Sequence, residues 1–246
     1  MTVHVETDGS VATITLDRPS RRNAVDHDTV LALIEAQRRF DVAGPDQPRA
    51  VVLTGAPPAF SAGADLTGVE AGRFGQDLSA ALRGFGALPM PVIAAIDGPA
   101  LGAGAQLAVA ADLRVATPGS VVGIPAARLG LVVDHWTVRR LASELGPSVA
   151  RAMLVAAATY SGERLHALGG VHRLGTLADA LEWAKELAQL APLTVRGHKL
   201  AIERLVPEPP ADELVEAARA AAWASADADE GRRAFLDKRP ARFTGS

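Results

Sequence analysis

LGAGAQLAVAADLRV, residues 101–115, decides how the chain around it folds. Just before it, VIAAIDG (92–98) is a continuous apolar run closed by glycine, the pattern of a strand buried on both faces. A loop of glycine and alanine follows, and then a helix whose first polar side chain is Gln106. A carboxamide can hold a ligand by hydrogen bonds but exchanges no proton near neutrality.

The same order occurs once earlier, where AVVLTG (50–55) reads as a buried strand and leads into APPAFSAGAD (56–65). The first N–H groups of a helix are unpaired and carry a partial positive field, so such loops can hold an anion or polarise a carbonyl. Tiny residues let a ligand reach the backbone. Two loops in consecutive units can each point one N–H at a single oxygen, which is the geometry of an oxyanion hole. Close packing of strand on helix explains either loop as well, and that alternative stays open. A dinucleotide site does not fit, because Leu107 stands where the third glycine is needed and no acidic residue ends a strand at the required offset.

Working outward, VHVETDGSVATITL alternates on both sides of Asp8-Gly9-Ser10 and predicts a hairpin. Residues 28–40 place Val30, Leu33, Ile34 and Phe40 on one helical face, and Leu78, Leu82, Phe85 and Leu88 mark a second helix ending at Pro89. DLRVA and SVVGI read as short strands. From about Asp134 the chain reads as almost entirely helical, with breaks at Gly146-Pro147, Gly169-Gly170, Pro192 and PEPP (207–210). The expected layout is an α/β body over 1–190 continuous with a helical carboxy-terminal region over 191–246.

Composition sets the limits. The chain has 246 residues, of which 48% are apolar, enough for a substantial core. A net charge of -3 provides no general field for nucleic acid. No cysteine is present, which removes disulfides, thiolate metal sites and a cysteine nucleophile. The six histidines show no metal-ligand spacing, so neither a metal nor a cofactor is expected. The polar, alternating amino terminus and the lack of a long apolar segment lead to the expectation of a cytoplasmic protein without a membrane span.

Taken together, RRNAV (21–25), AFSAGADL (59–66), IDGPALGAGAQLAVAADLRVA (96–116) and GIPAARLGL (123–131) resemble the enoyl-CoA hydratase/isomerase, or crotonase, family, and the similarity runs from about Val3 to Phe243. The resemblance implies a spiral of ββα units with a helical carboxy-terminal trimerisation region, hence a homotrimer or a dimer of trimers. It implies an acyl-CoA ligand whose thioester oxygen lies between the backbone N–H groups of Ala64 and Ala103. It also implies that the adenine end runs along Ala62 to Leu66, Asp65 included, with Arg22, Phe235 and Lys238 near the CoA.

The departures from the family pattern matter as much. Hydratases use two glutamates, and the matching positions here are Gln106 and Ala126. Each lost carboxylate removes a general acid-base contribution of roughly 10²- to 10⁴-fold. The main-chain donors are untouched, and each is typically worth ~2.7–4 kcal/mol in a transition state. Asp134 matches an aspartate that moves protons in some isomerases of the family, and it also reads as a helix N-cap. Trp136 stands in a segment that commonly faces the acyl chain. DHWTVRRLASELG and HRLGTLADALEWAKELAQLAP further resemble a mycobacterial subgroup of hydratase-like proteins that lack the glutamates. That subgroup is associated with binding long-chain fatty acyl-CoA in fatty and mycolic acid synthesis without hydrating it.

Overall fold

Cross-strand pairing begins at once. In the computed structural model, which describes residues 2–42, 44, 47–67, 71–205 and 212–245, β1 (Val3–Asp8) and β2 (Val11–Leu16) form an antiparallel hairpin closed by the Asp8–Val11 pair. Gly9 takes φ +59° in its turn, a conformation that costs glycine little. Helix α1 (His27–Asp41) is capped by Asp26, whose carboxylate accepts the Thr29 N–H at 2.8 Å. Val30, Leu33 and Phe40 are buried on the predicted face.

After α1 come β3 (Ala50–Gly55), α2 (Ala71–Ala87), β4 (Val92–Ile96), β5 (Pro99–Leu101), α3 (Ala103–Ala110), β6 (Leu113–Ala116) and β7 (Val121–Gly123). The chain continues through α4 (His135–Leu145), α5 (Pro147–Val155), β8 (Thr159–Ser161), α6 (Gly162–Ala167), β9 (Arg173–Leu174), α7 (Leu177–Leu187), α8 (Pro192–Glu203), α9 (Glu213–Trp223) and α10 (Ala226–Leu236). The main sheet has the order β1-β2-β3-β4-β6-β9 and is parallel beyond the first hairpin; β5, β7 and β8 form a small second sheet.

Strand alternation sets the layers. Val11, Ala50, Val52, Ile93, Ala95 and Val115 share one face of the main sheet, where Ala180, Ala184 and Ala188 on and just beyond α7 pack against them. Three alanines on one stripe let that helix lie close to the sheet. Leu33, Leu53 and Leu82 are buried without remainder, and α1 and α2 pack on each other.

The region after Asp134 is mostly helical, as expected, but two short strands that the sequence did not announce, β8 and β9, interrupt it. β9 is two residues long and extends the main sheet beside β6, with the His172 N–H donating to Arg114 O and the Gly175 N–H to Ala116 O. A strand that short has no periodicity to read. The other three breaks fall where expected, and PEPP lies outside the described residues.

The chain forms two compact units: residues 1–122 with 160–207, and 123–159 with 208–246. Helix α8 thus belongs to the first unit. In the second, the 3-10 turn Pro125–Leu129 lies against α10, where a Cβ on Gly231 would come within 2.4 Å of Leu129 O. The Trp223 indole N–H donates to Val132 O at 2.9 Å. No helix among the described residues is long and apolar enough to cross a membrane.

Candidate functional site

In the first unit, residues 61–65 run between two other segments and bond to both. On one side the Ser61 N–H donates to Pro99 O and the Leu101 N–H to Ser61 O, each at 2.9 Å. On the other side the Ala62 N–H donates to Arg22 O, the Val25 N–H to Gly63 O (2.7 Å) and the Asp65 N–H to Val25 O (2.8 Å). The Gly63 N–H turns to the Ser61 hydroxyl at 3.3 Å. Of the five N–H groups in this stretch, only that of Ala64 has no acceptor among the described residues.

Its direction follows from planarity. The Gly63 carbonyl points at Val25, so the Ala64 N–H, trans across the same peptide plane, points away from Val25. That is the side of residues 99–103. Ser61 and Ala100 form a parallel bridge, and continuing its register by three residues sets Ala64 opposite Ala103. Close approach confirms the register: a Cβ on Gly102 would sit 3.7 Å from Gly63 Cα. Gly102 itself has φ +51°, in the region that favours glycine, and turns the chain into α3. Ala103 is the first residue of that helix, so its N–H is one of those a helix leaves unpaired. A Cβ on Gly104 would come within 2.5 Å of Ser61 O, so only glycine lets α3 start this close to the first loop.

Gln106 lies one turn into α3 and is 7% exposed. Asp65 is held by the Thr67 hydroxyl at 2.6 Å and by Arg18 at 3.0 Å. The Thr67 hydroxyl first, then its backbone N–H and Arg18, hold the Asp65 carboxyl below the usual carboxylate range in spite of partial burial. Leu66 is half-buried, and Ala62 and Arg22 are exposed beside each other through their backbone bond.

A model of the enoyl-CoA hydratase/isomerase family matches residues 6–246. The chain belongs to that family. A probable enoyl-CoA hydratase of Mycobacterium tuberculosis is 42% identical, covering 96% of this chain and 97% of that protein. Carnitinyl-CoA dehydratase of Salmonella typhimurium is 34% identical over 99% and 98% of the two chains. Among solved structures, a putative enoyl-CoA hydratase/isomerase family protein from Hyphomonas neptunium is 33% identical with a TM-score of 0.78, covering 100% of this chain and 98% of that one. Methylmalonyl-CoA decarboxylase, in complex with 2-nitronate-propionyl-CoA, superposes with a TM-score of 0.90 over 100% and 99% of the two chains at 23% identity, a likeness of fold. The α/β architecture with a helical carboxy-terminal region is therefore the crotonase fold.

The hydratase/isomerase-family positions predicted from sequence divide between the two units. Arg22, Ala62, Ala64, Asp65, Leu66, Ala103 and Gln106 belong to the first. In the second, Ala126 is half-buried in the 3-10 turn, and Gly130 at its end, with φ +67°, donates its N–H back to Ala126 O. Asp134 is the N-cap of α4, accepting the Thr137 N–H at 3.0 Å, and Trp136 is half-buried in the same first turn. Phe235 is 61% exposed at the end of α10, and Lys238 beyond it has φ +54°. Among the described residues no group of three His, Asp or Glu side chains is placed to hold a metal.

Sequence reasoning missed the residues that brace the first loop. Asn23 is buried with φ +54° and donates from Nδ2 to Ala56 O at 2.7 Å and to Ala59 O at 2.6 Å. The Ser61 hydroxyl donates to Asn23 O at 2.8 Å. A signal existed in RRNAV, since asparagine tolerates the left-handed region and carries both donors and an acceptor.

Proposed function

We propose that this protein binds fatty acyl-CoA thioesters and polarises their carbonyl without efficiently hydrating them. The thioester oxygen sits between the N–H groups of Ala64 and Ala103. The observation that carries this reading is the uncommitted Ala64 N–H, turned toward the loop where Ala103 opens α3, while its neighbours in 61–65 are bonded within the protein. Two relatives are named for chemistry on CoA thioesters, which supports the same ligand class. The N–H groups of Ala62 and Asp65 are internally bonded, so an adenine amine along 62–66 would meet carbonyl oxygens. Arg22, Phe235 and Lys238 complete the CoA contacts that the family resemblance assigns, with no further cofactor.

Hydration needs a base to activate water and an acid to protonate the α-carbon. Gln106 and Ala126 offer neither. Long acyl chains, with Trp136 beside them, and a role in lipid metabolism as a cytoplasmic homotrimer or dimer of trimers complete the proposal. Calorimetric titration with acyl-CoAs of increasing length tests it: affinity should rise with length, and pure protein should add water to crotonyl-CoA negligibly. Failure to bind any thioester ends the reading.

A second reading makes Asp134 a lone acid-base residue for double-bond isomerisation. Its cap bond to Thr137 accounts for the aspartate without that chemistry. Asp134→Asn decides, because isomerisation of an unsaturated acyl-CoA should vanish with binding retained if the second reading holds. If there is no such turnover to lose, Asp134 serves as a cap.

A further inference from the structure

We infer that Arg18 is a positioning residue that sets the aim of the Ala64 N–H; this rests on the reading of that N–H as a donor to the thioester oxygen. The aim depends on one small feature, the two hydrogen bonds by which Val25 holds the peptides on either side of Ala64. An isolated bridge of two bonds is a weak fixture, since each is worth about 1 kcal/mol net. The neighbours of both bridge partners converge on one guanidinium. Arg18 Nη1 donates to Ala24 O, and Arg18 Nη2 lies 3.1 Å from the Asp26 carboxylate and 3.0 Å from the Asp65 carboxylate. Ala24 and Asp26 flank Val25; Asp65 follows Ala64.

Arginine suits this task where lysine would not. A planar fork fixes three acceptors in one geometry, whereas an ammonium is a single mobile point. The stem of Arg18 is itself anchored: its N–H donates to Asn23 Oδ1 at 2.9 Å, and its carbonyl accepts the N–H groups of Arg21 and Asn23 at 2.9 Å. Without the guanidinium, the carboxylates of Asp26 and Asp65 would face each other with no cation between them. Like charges at that separation repel, and the repulsion acts to open the bridge. The Ala64 peptide would then be free to turn, and a hydrogen bond weakens steeply once its angle departs from linear.

Isotope-edited vibrational spectroscopy of bound decanoyl-CoA, labelled with ¹³C at the thioester carbonyl, reads the aim directly. A carbonyl held by aligned donors stretches at lower frequency than the free thioester. The native protein should show that downshift. Arg18→Met should lose most of it, with calorimetric affinity changed far less. Arg18→Lys should restore part of it, and Arg18→Met with Asp65→Asn, which removes the repulsion, should restore more than Arg18→Met alone. A folded Arg18→Met protein that binds with the full downshift overturns the inference. Should Arg18→Met not fold, Asp65→Asn takes its place, with a partial loss expected and an undiminished downshift counting against the role of Arg18. Binding without any downshift in the native protein overturns instead the reading of Ala64 as a donor.

Discussion

Asn23 shows how one side chain can carry a loop. Its amide serves the carbonyls of Ala56 and Ala59, on the approach to the Ala64 stretch, and its backbone sits in the left-handed region. Alanine there would leave two carbonyls without their donor and the Arg18 N–H without its acceptor, and it tolerates the left-handed backbone less well than asparagine does. The expected loss is about 2–4 kcal/mol, read as a lower denaturant midpoint with an unchanged slope. Asn23→Gly separates the two causes: it removes the φ strain but not the unmet carbonyls, so it should be less damaging than Asn23→Ala by up to about 1 kcal/mol. Equal stabilities for the two variants would assign the whole cost to hydrogen bonding. Acid should act on the same loop through Asp65. Its pKa is lowered by folding, so its contribution is fully present above the ordinary carboxylate range and lost as pH falls through the depressed value.

At the scale of elements, helix α8 is seated by a lysine. Lys199 is its buried residue, and the ammonium donates to Phe85 O (2.9 Å), Met90 O (3.0 Å) and the Asp112 carboxylate (2.7 Å), which also accepts the Val92 N–H. One cation therefore ties α8 to the end of α2, to the start of β4 and to the turn after α3. Lys199→Met takes the cation away from the partly buried Asp112 carboxylate and should cost about 3–5 kcal/mol in a denaturation experiment. Adding Asp112→Asn keeps an acceptor for Val92 and removes the negative charge, so the double variant should recover part of that loss. The carboxy-terminal tail is tied back on α10 in a different way, by Glu230 to the Arg239 guanidinium and the Arg242 N–H. Those bonds, Arg239 foremost, bring Glu230 down to about 2. Its hold on the tail is thus complete above the ordinary glutamate range and lost only as pH falls through about 2. Exchange protection of the Arg242 amide should survive to about pH 3 and vanish in Glu230→Ala at neutral pH. Tail protection that fades already near pH 5 would mean that other groups hold it.

For the molecule as a whole, the sequence disclosed what is periodic or local. The hairpin, the buried strands at 50–55 and 92–96, the glycine that opens α3 and the Asp134 cap were legible because each is specified within a few residues. What stayed hidden depends on partners far along the chain: Asn23 reaches Ala59 across 36 residues and Arg18 reaches Asp65 across 47. β9 is called into being by β6 rather than by its own two residues. The same division separates the two halves of the proposed site, since main-chain donors at Ala64 and Ala103 would survive side-chain changes that remove a carboxylate. If this chain kept those donors and lacks only the carboxylates, as proposed, it should respond to their return. Gln106→Glu with Ala126→Glu is therefore expected to hydrate crotonyl-CoA at least roughly 10²-fold faster than the native protein, with each single variant gaining much less, because water activation and carbon protonation are both required for turnover. A double variant that folds, binds acyl-CoA and remains as inert as the native protein would show that these two positions do not stand where hydration needs its acid and base.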